Sequence, residues 1–543
     1  MIYIDPDSGN DSWDGSRGIY ISGTTGPRAT MPTMASDNDY YYLRGTTSDL
    51  TARIDIQTLD NITVGAYWMN GTTEETGDSP LAKPIFTSYL TLSSTGDFTD
   101  LGGNVWVYDS GDGFTNNHFL LGLGALGTRS SPQWTERRNY LSAAGPPASS
   151  FDTFGQWDAN VGAAAPNEAK LYIYSDANPV TKWGNIYVAR FQRQVFRIRT
   201  NSTNITIENL KFVNAYVGVN MITGSGENNQ NITVQNCEAE HCAFGITSGS
   251  TSGNETNTKI LNNEFYEVGN WGIRCADEHP GLLVQGNIID GAGGAESIGG
   301  IYGPTKGTAA APAIFELNTV KNIYLGDYWN ESYGLYMETT GTYSTYRRNY
   351  VENCQKAGLH SNSGEPFNLY HSNVVVDCIQ GISDSDSNSN DNHQCSYHNN
   401  VFYNVRVGMW IGRPVGITTV DAKVYNNIFV GDGNVNSAGF QLDPEVDDLG
   451  GLDEDYNVVY NFNTNIERTS GVLLTAFGAN NSTADPLLNS TYNIISNASP
   501  AYATGVRWWT TRPVGYDGEP FPDWDIDIGG SQSLFSPFHP VNL

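Results

Sequence analysis

Tyr333-Gly334-Leu335, Ala357-Gly358-Leu359, Gln380-Gly381-Ile382 and Val407-Gly408-Met409 repeat one short phrase along the middle of this chain. The phrase also occurs upstream, as Val217-Gly218-Val219, Phe244-Gly245-Ile246, Trp271-Gly272-Ile273 and Gly299-Gly300-Ile301, and downstream as Ala438-Gly439-Phe440. The glycines lie 27, 27, 28, 34, 24, 23, 27 and 31 residues apart. That is the period of a solenoid coil and not of a globular α/β domain. A second ladder keeps step with the first: Asn209, Asn236, Asn263, Asn287, Asn318, Asn349, Asn373, Asn400 and Asn427 each precede one of the glycines.

The residues between the ladders set the kind of coil. Asn204-Ile205-Thr206-Ile207, Asn231-Ile232-Thr233-Val234 and Lys423-Val424-Tyr425 alternate polar and apolar side chains, as short half-buried strands do. Strands of this length between Gly, Asn, Asp and Ser corners fit three parallel strands per turn, each pairing with its copy in the next turn. A corner Asn tolerates the left-handed conformation, and its amide can bond the Asn of the next coil. The asparagines are therefore expected to be structural.

Composition agrees. The chain has 543 residues, 59 glycines and 31 tyrosines, without the residue balance of a helical protein. A net charge of −30 excludes a general nucleic-acid or anionic-membrane partner and leaves any polyanionic ligand in need of local Arg or Lys. No apolar run is long enough to span a bilayer, and residues 1–14 have no secretory pattern, which leans towards a component released by lysis. The six cysteines, Cys237, Cys242, Cys275, Cys354, Cys378 and Cys395, have no close metal-ligand pairing. Cys354 and Cys378 should stack as buried thiols in adjacent coils.

With these ladders, the chain resembles the right-handed parallel β-helix superfamily of pectate-lyase-like enzymes, other polysaccharide lyases and phage tailspikes. Tyr3-Ile4-Asp5-Pro6-Asp7-Ser8-Gly9-Asn10-Asp11 with Asp14-Gly15 looks like an opening strand and turn, and Ala484-Asp485-Pro486-Leu487 like a closing segment. The expected organisation is opening coils with a long insertion over 1–195, a regular helix over 196–462, and a capping or oligomerisation segment over 463–543. The resemblance implies an all-β protein acting on a surface or extracellular polysaccharide. It further implies a tailspike-like homotrimer with other virion tail proteins, located in the virion or outside the cell. A secreted lyase or glycoside hydrolase and a non-catalytic fibre are the alternatives.

The glycine ladder also aligns the coils. The residue after each glycine should point inward and the next one outward. The outward row reads Asn220, Thr247, Arg274, Tyr302, Tyr336, His360, Ser383, Trp410 and Gln441. Aromatic faces beside charged and amide groups suit sugar rings; the plainer reading is an aromatic ladder that stiffens the sheet. Trp271, Trp329 and Asn362 join Tyr302, Tyr336 and Trp410 as expected substrate contacts. For hydrolysis, Glu338 and the Asp384/Asp386 corner would lie roughly 9 to 10 Å apart across two coils, just within inverting geometry. For β-elimination, Arg274 or Lys306 would neutralise a uronate while His360, Tyr336 or Tyr302 takes the proton. No cofactor is required. Calcium is the optional one, since Asp443, Glu445, Asp447 and Asp448 with Asp453, Glu454 and Asp455 offer hard oxygen ligands.

Overall fold

The computed structural model describes residues 1–50, 52–77, 79–88, 90–109, 120–123, 133–134, 157–159, 170–184, 186–189, 194–223, 226–250, 254–292, 299–303, 305–308, 310–323, 332–337, 343–361, 368–385, 395–412, 422–442, 452–468, 478–490, 492 and 499–501. The chain is a parallel β-helix with three short strands per coil. Pro179–Trp183 is the one α-helix among the described residues. One coil shows the plan: Ser344–Arg347, Tyr350–Cys354 and Ala357–Ser361 are its first, second and third strands. They pair in parallel with Asn368–His371, Val374–Val376 and Gln380–Ser385 of the next coil.

Two compact units contain such coils. The first comprises Met1–Arg274, Ile289–Gly299 and Tyr324–Ser332; the second comprises Cys275–Ile288, Gly300–Ile323 and Tyr333–Leu543. In the first unit the opening strand Ile2–Ile4 pairs with Tyr40–Leu43. Its outer edge is sealed by backbone bonds from Tyr3 to Gly15, and between Asp5, Arg28 and Tyr3, so no bare strand edge remains there for another chain to add to. Antiparallel pairs interrupt the coils between Leu90 and Ala189. Val105–Asp109 joins Lys170–Tyr174, which also pairs with Trp157–Ala159.

The ladder glycines are needed for space, since none has a positive φ. A Cβ on Gly334 would lie 2.3 Å from Val351 Cγ1 and 2.6 Å from the Gly358 carbonyl oxygen. On Gly358 it would lie 2.2 Å from Val375 Cγ1. The third strand thus approaches the second more closely than any side chain permits. The next residues, Leu335, Leu359, Ile382 and Met409, are fully buried, as the alternation requires.

The asparagine ladder is a hydrogen-bonded column. In the second unit Asn287, Asn318, Asn349, Asn373, Asn400 and Asn427 each donate a backbone N–H and a side-chain amide to the Oδ1 of the next ladder residue, ending at Asn457. The left-handed residue is the one before the ladder Asn: Leu317, Arg348, Ser372, Asn399, Asn426 and Tyr456 have φ between 54 and 59°. In the first unit, Asn209 and Asn236 are themselves left-handed and align with Asn262, one place ahead of Asn263. Asn61, Asn204, Asn231 and Asn257 form a second, exposed ladder there, at the other end of the first strand.

Phe315, Tyr346, Tyr370 and Tyr397 stack inside the second unit at 4.4, 4.9 and 4.9 Å between centroids. Cys354 and Cys378 are free, buried and adjacent, with the Cys354 N–H 3.4 Å from the Cys378 sulfur. The described part of the closing segment does two things. The Gly478 N–H and the Asn481 amide bond the carboxylate of Glu454, which aligns with the inward Val424 at the end of the unit's core. Leu488, Tyr492 and Ala501 pack along the outer face of the second sheet, on Val374, Val401, Ile428 and Val458.

Candidate functional site

Strand alternation in the second unit places Tyr302, Tyr336, His360, Ser383, Trp410 and Gln441 on the outer face of the third sheet. Tyr336 lies beside His360, His360 beside Ser383, Ser383 beside Trp410, and Trp410 beside Gln441. The row exists as the ladder spacing predicts. Its chemistry differs from the expectation.

The rings of Tyr302, Tyr336 and His360 turn towards one another. Tyr336 and His360 stack at 4.7 Å with planes 1° apart, and Tyr302 follows at 5.2 Å. Tyr333 packs against both Tyr336 and His360, at 5.0 and 4.1 Å, and Lys356 Nζ lies 4.9 Å over the Tyr333 ring. Their faces are therefore occupied by neighbouring rings, and Tyr302, Tyr336 and His360 are only 8, 7 and 5 % exposed. Here the stiffening ladder, and not a row of sugar platforms, is what the side chains build.

His360 is held neutral. Burial pushes its pKa down to about 3, and the nearby Lys356 charge adds to the effect. Its Nδ1 lies 2.9 Å from Ser383 Oγ. An imidazole with so low a pKa is a weak proton acceptor at neutral pH.

Asp384 sits inside the coil. Ser383 takes the outward position, so Asp384 aligns with Ser361 and Ile411 on the inner face, fully buried, and accepts a 3.1 Å bond from the Tyr397 hydroxyl. Its expected place at an outer corner is corrected by this alternation. It cannot meet a ligand on the outer face. Glu338, Asp386, Trp329 and Asn362 lie outside the described residues, as do Asp443, Glu445, Asp447 and Asp448.

Trp410 offers what the stacked rings do not. Its Cη2, Cζ2 and Cζ3 atoms would lie 2.3, 2.7 and 2.9 Å from a Cβ on Gly412. Three such similar distances mean that the indole lies face down on the glycine, with its opposite face turned away from the strand. It is half-buried, and Ser383 and Gln441 flank it on adjacent strands. Ser383 is 1 % exposed and engaged with His360, so a flat apolar face bordered by the half-buried Gln441 amide is what the site offers a sugar ring. Trp271, in the first unit, lies on Gly299 in a similar way but is 4 % exposed and belongs to the interior packing.

On the third sheet of the first unit the outer row reads Asp55, Arg197, Asn220, Thr247 and Arg274. Thr247 donates to Asn220 Oδ1 at 2.8 Å. The alternating run Val195-Phe196-Arg197-Ile198-Arg199 places Arg197 and Arg199 outward between buried Phe196 and Ile198. Sequence reading passed over this pair because the run precedes the first ladder glycine, although its period-two pattern is plain.

Among the described residues no group of three or more His, Cys, Asp or Glu side chains has the geometry to hold a metal ion. Glu454 and Asp455 are bonded by amides of Gly478, Asn480 and Asn481.

No protein-family model and no curated protein matches this sequence. Among solved structures, the complex of XylC with xylose is 13 % identical, with a TM-score of 0.49, covering 90 % of this chain and 87 % of the other. The GH136 lacto-N-biosidase from Eubacterium ramulus is 12 % identical, with a TM-score of 0.48, covering 84 and 67 %. Pectate lyase Pel9A is 12 % identical, with a TM-score of 0.39, covering 97 and 95 %.

Proposed function

We propose that this chain binds an extracellular or surface polysaccharide through the outer face of its third sheet and degrades it. The observation that carries the reading is Trp410, laid face down on Gly412 between Ser383 and Gln441. A tryptophan held flat and half-exposed on a rigid strand loses little freedom when a sugar ring stacks on it, so the contact costs little entropy. In its finer form the reading is of a tailspike-like depolymerase, assembled as a homotrimer and attached to a virion, with a secreted lyase or hydrolase as the alternative.

A second reading, a non-catalytic glycan-gripping fibre, is favoured by one specific observation. Two of the residues assigned to acid–base work are unsuited to it on the outer face: Asp384 points inward and His360 is held neutral. Incubation with capsular, lipopolysaccharide and algal polymers, following new reducing ends and the ultraviolet absorbance of unsaturated uronates, separates these readings. Reducing ends with absorbance identify a lyase, and reducing ends alone a hydrolase. Binding without either identifies the fibre.

A further inference from the structure

In a chain carrying 58 acidic and 28 basic residues, three arginines gather at one place in the first unit. Arg197 aligns with Asp55 and Arg199 with Gln57 on the neighbouring strand, which Arg53 directly precedes. Asp55 accepts a 3.0 Å bond from Arg53. Glu227, the other acid that acts on Arg197 among the described residues, accepts a bond from Thr200. The Nε atoms of Arg197 and Arg199 are buried without a hydrogen-bond partner, and neither guanidinium forms an ion pair among the described residues. Burial, then repulsion from Arg53 and Arg199, lowers the pKa of Arg197.

Buried guanidinium N–H groups without an acceptor are costly, and close like charges add to the cost. The second penalty is relieved by one event, the arrival of an anion with several oxygen acceptors. A guanidinium fork matches a carboxylate or a sulfate, which can accept two parallel bonds. Asn220, beside Arg197, is 2 % exposed and bonded to Thr247, so the arginines are the polar groups that the row presents here.

We propose that Arg197 and Arg199, with Arg53 beside them, form an anion subsite for the acidic group of a polysaccharide, a uronate carboxylate or a sulfate ester. The inference rests on the polysaccharide reading above and narrows its substrate class to acidic polymers.

The test is affinity electrophoresis through gels containing polygalacturonate, dextran sulfate or neutral dextran, at low and high salt, with wild type, R197Q/R199Q, R197K/R199K and Trp410→Ala. Wild type is expected to be retarded by an anionic polymer, less so at high salt. R197Q/R199Q should bind about tenfold more weakly, the worth of one charge-assisted hydrogen bond. R197K/R199K should fall between them, because it keeps the charge and loses the fork. A response to polygalacturonate alone assigns the carboxylate, and to dextran sulfate alone the sulfate ester. Thermal melting of each variant checks that the coils are intact. Undiminished anionic retention in a folded R197Q/R199Q overturns the subsite. Retention by neutral dextran only also overturns it and leaves the polysaccharide reading in place, whereas wild-type retention by no polymer counts against both.

Discussion

Trp410 and Gly412 act as a pair. Any side chain at 412 would meet the benzo ring at 2.3 Å, so Gly412→Ala should lift the indole from its seat. Both Trp410→Ala and Gly412→Ala are expected to weaken glycan binding about tenfold, the stacking contribution of one aromatic ring, read by affinity electrophoresis. Tyr336→Phe should bind as wild type, because that ring is engaged with Tyr333 and His360. Asp384→Asn should leave binding and any depolymerase activity unchanged and lower stability, since the carboxylate serves Tyr397 inside the coil. Retained melting temperature with lost activity in Asp384→Asn would contradict its interior role. At this scale the sequence showed which residues share the outer row. It could not show that three of the rings face each other, because a register gives neighbours and not the plane in which a ring stands.

The strand and its corner are where the sequence was most legible. The glycine spacing predicted the coil, and the asparagine spacing predicted a structural ladder, because both recur once per turn. The one-place slip at Asn209 and Asn236 has a local cause: an asparagine suits either the left-handed place or the ladder place of that corner, and here Leu210 and Cys237 occupy the ladder place, which spacing alone does not reveal. The exposed column of Asn61, Asn204, Asn231 and Asn257 was missed because the long insertion separates its first member from the rest. The ladder makes a quantitative prediction. Asn400→Ala removes the acceptor for both Asn373 donors and the donor bonded to the Tyr370 carbonyl. It should cost about 1–3 kcal/mol for each buried group left unsatisfied, measured by denaturant unfolding. Asn228→Ala, exposed within the strand Asn228–Gln230, should stay within about 0.5 kcal/mol of wild type.

Among the described residues, the histidines of the second unit are held neutral by burial. Burial depresses His360, His371 and His398 to about 3 and His279 to about 4. The unfolded chain takes up these protons near pH 6.5 and the folded chain only near 3 to 4, so stability is full above pH 6.5 and falls as pH drops through that window. The midpoint of thermal unfolding should therefore decline steadily from pH 6.5 to 4; a flat profile there would contradict the burial of these rings. The tailspike-like form of the reading predicts a solution mass three times that of the 59.2 kDa chain, checked by light scattering. The composition pointed to local Arg or Lys for any acidic ligand, and Arg197 with Arg199 is where the fold gathers them. The most direct measurement is the retardation of wild type and Trp410→Ala in gels containing a panel of acidic and neutral polysaccharides. Wild type is expected to be held back by at least one polymer, and Trp410→Ala, melting at the same temperature, to be held back about tenfold more weakly by that polymer. Equal migration of the two proteins in every gel would contradict this expectation.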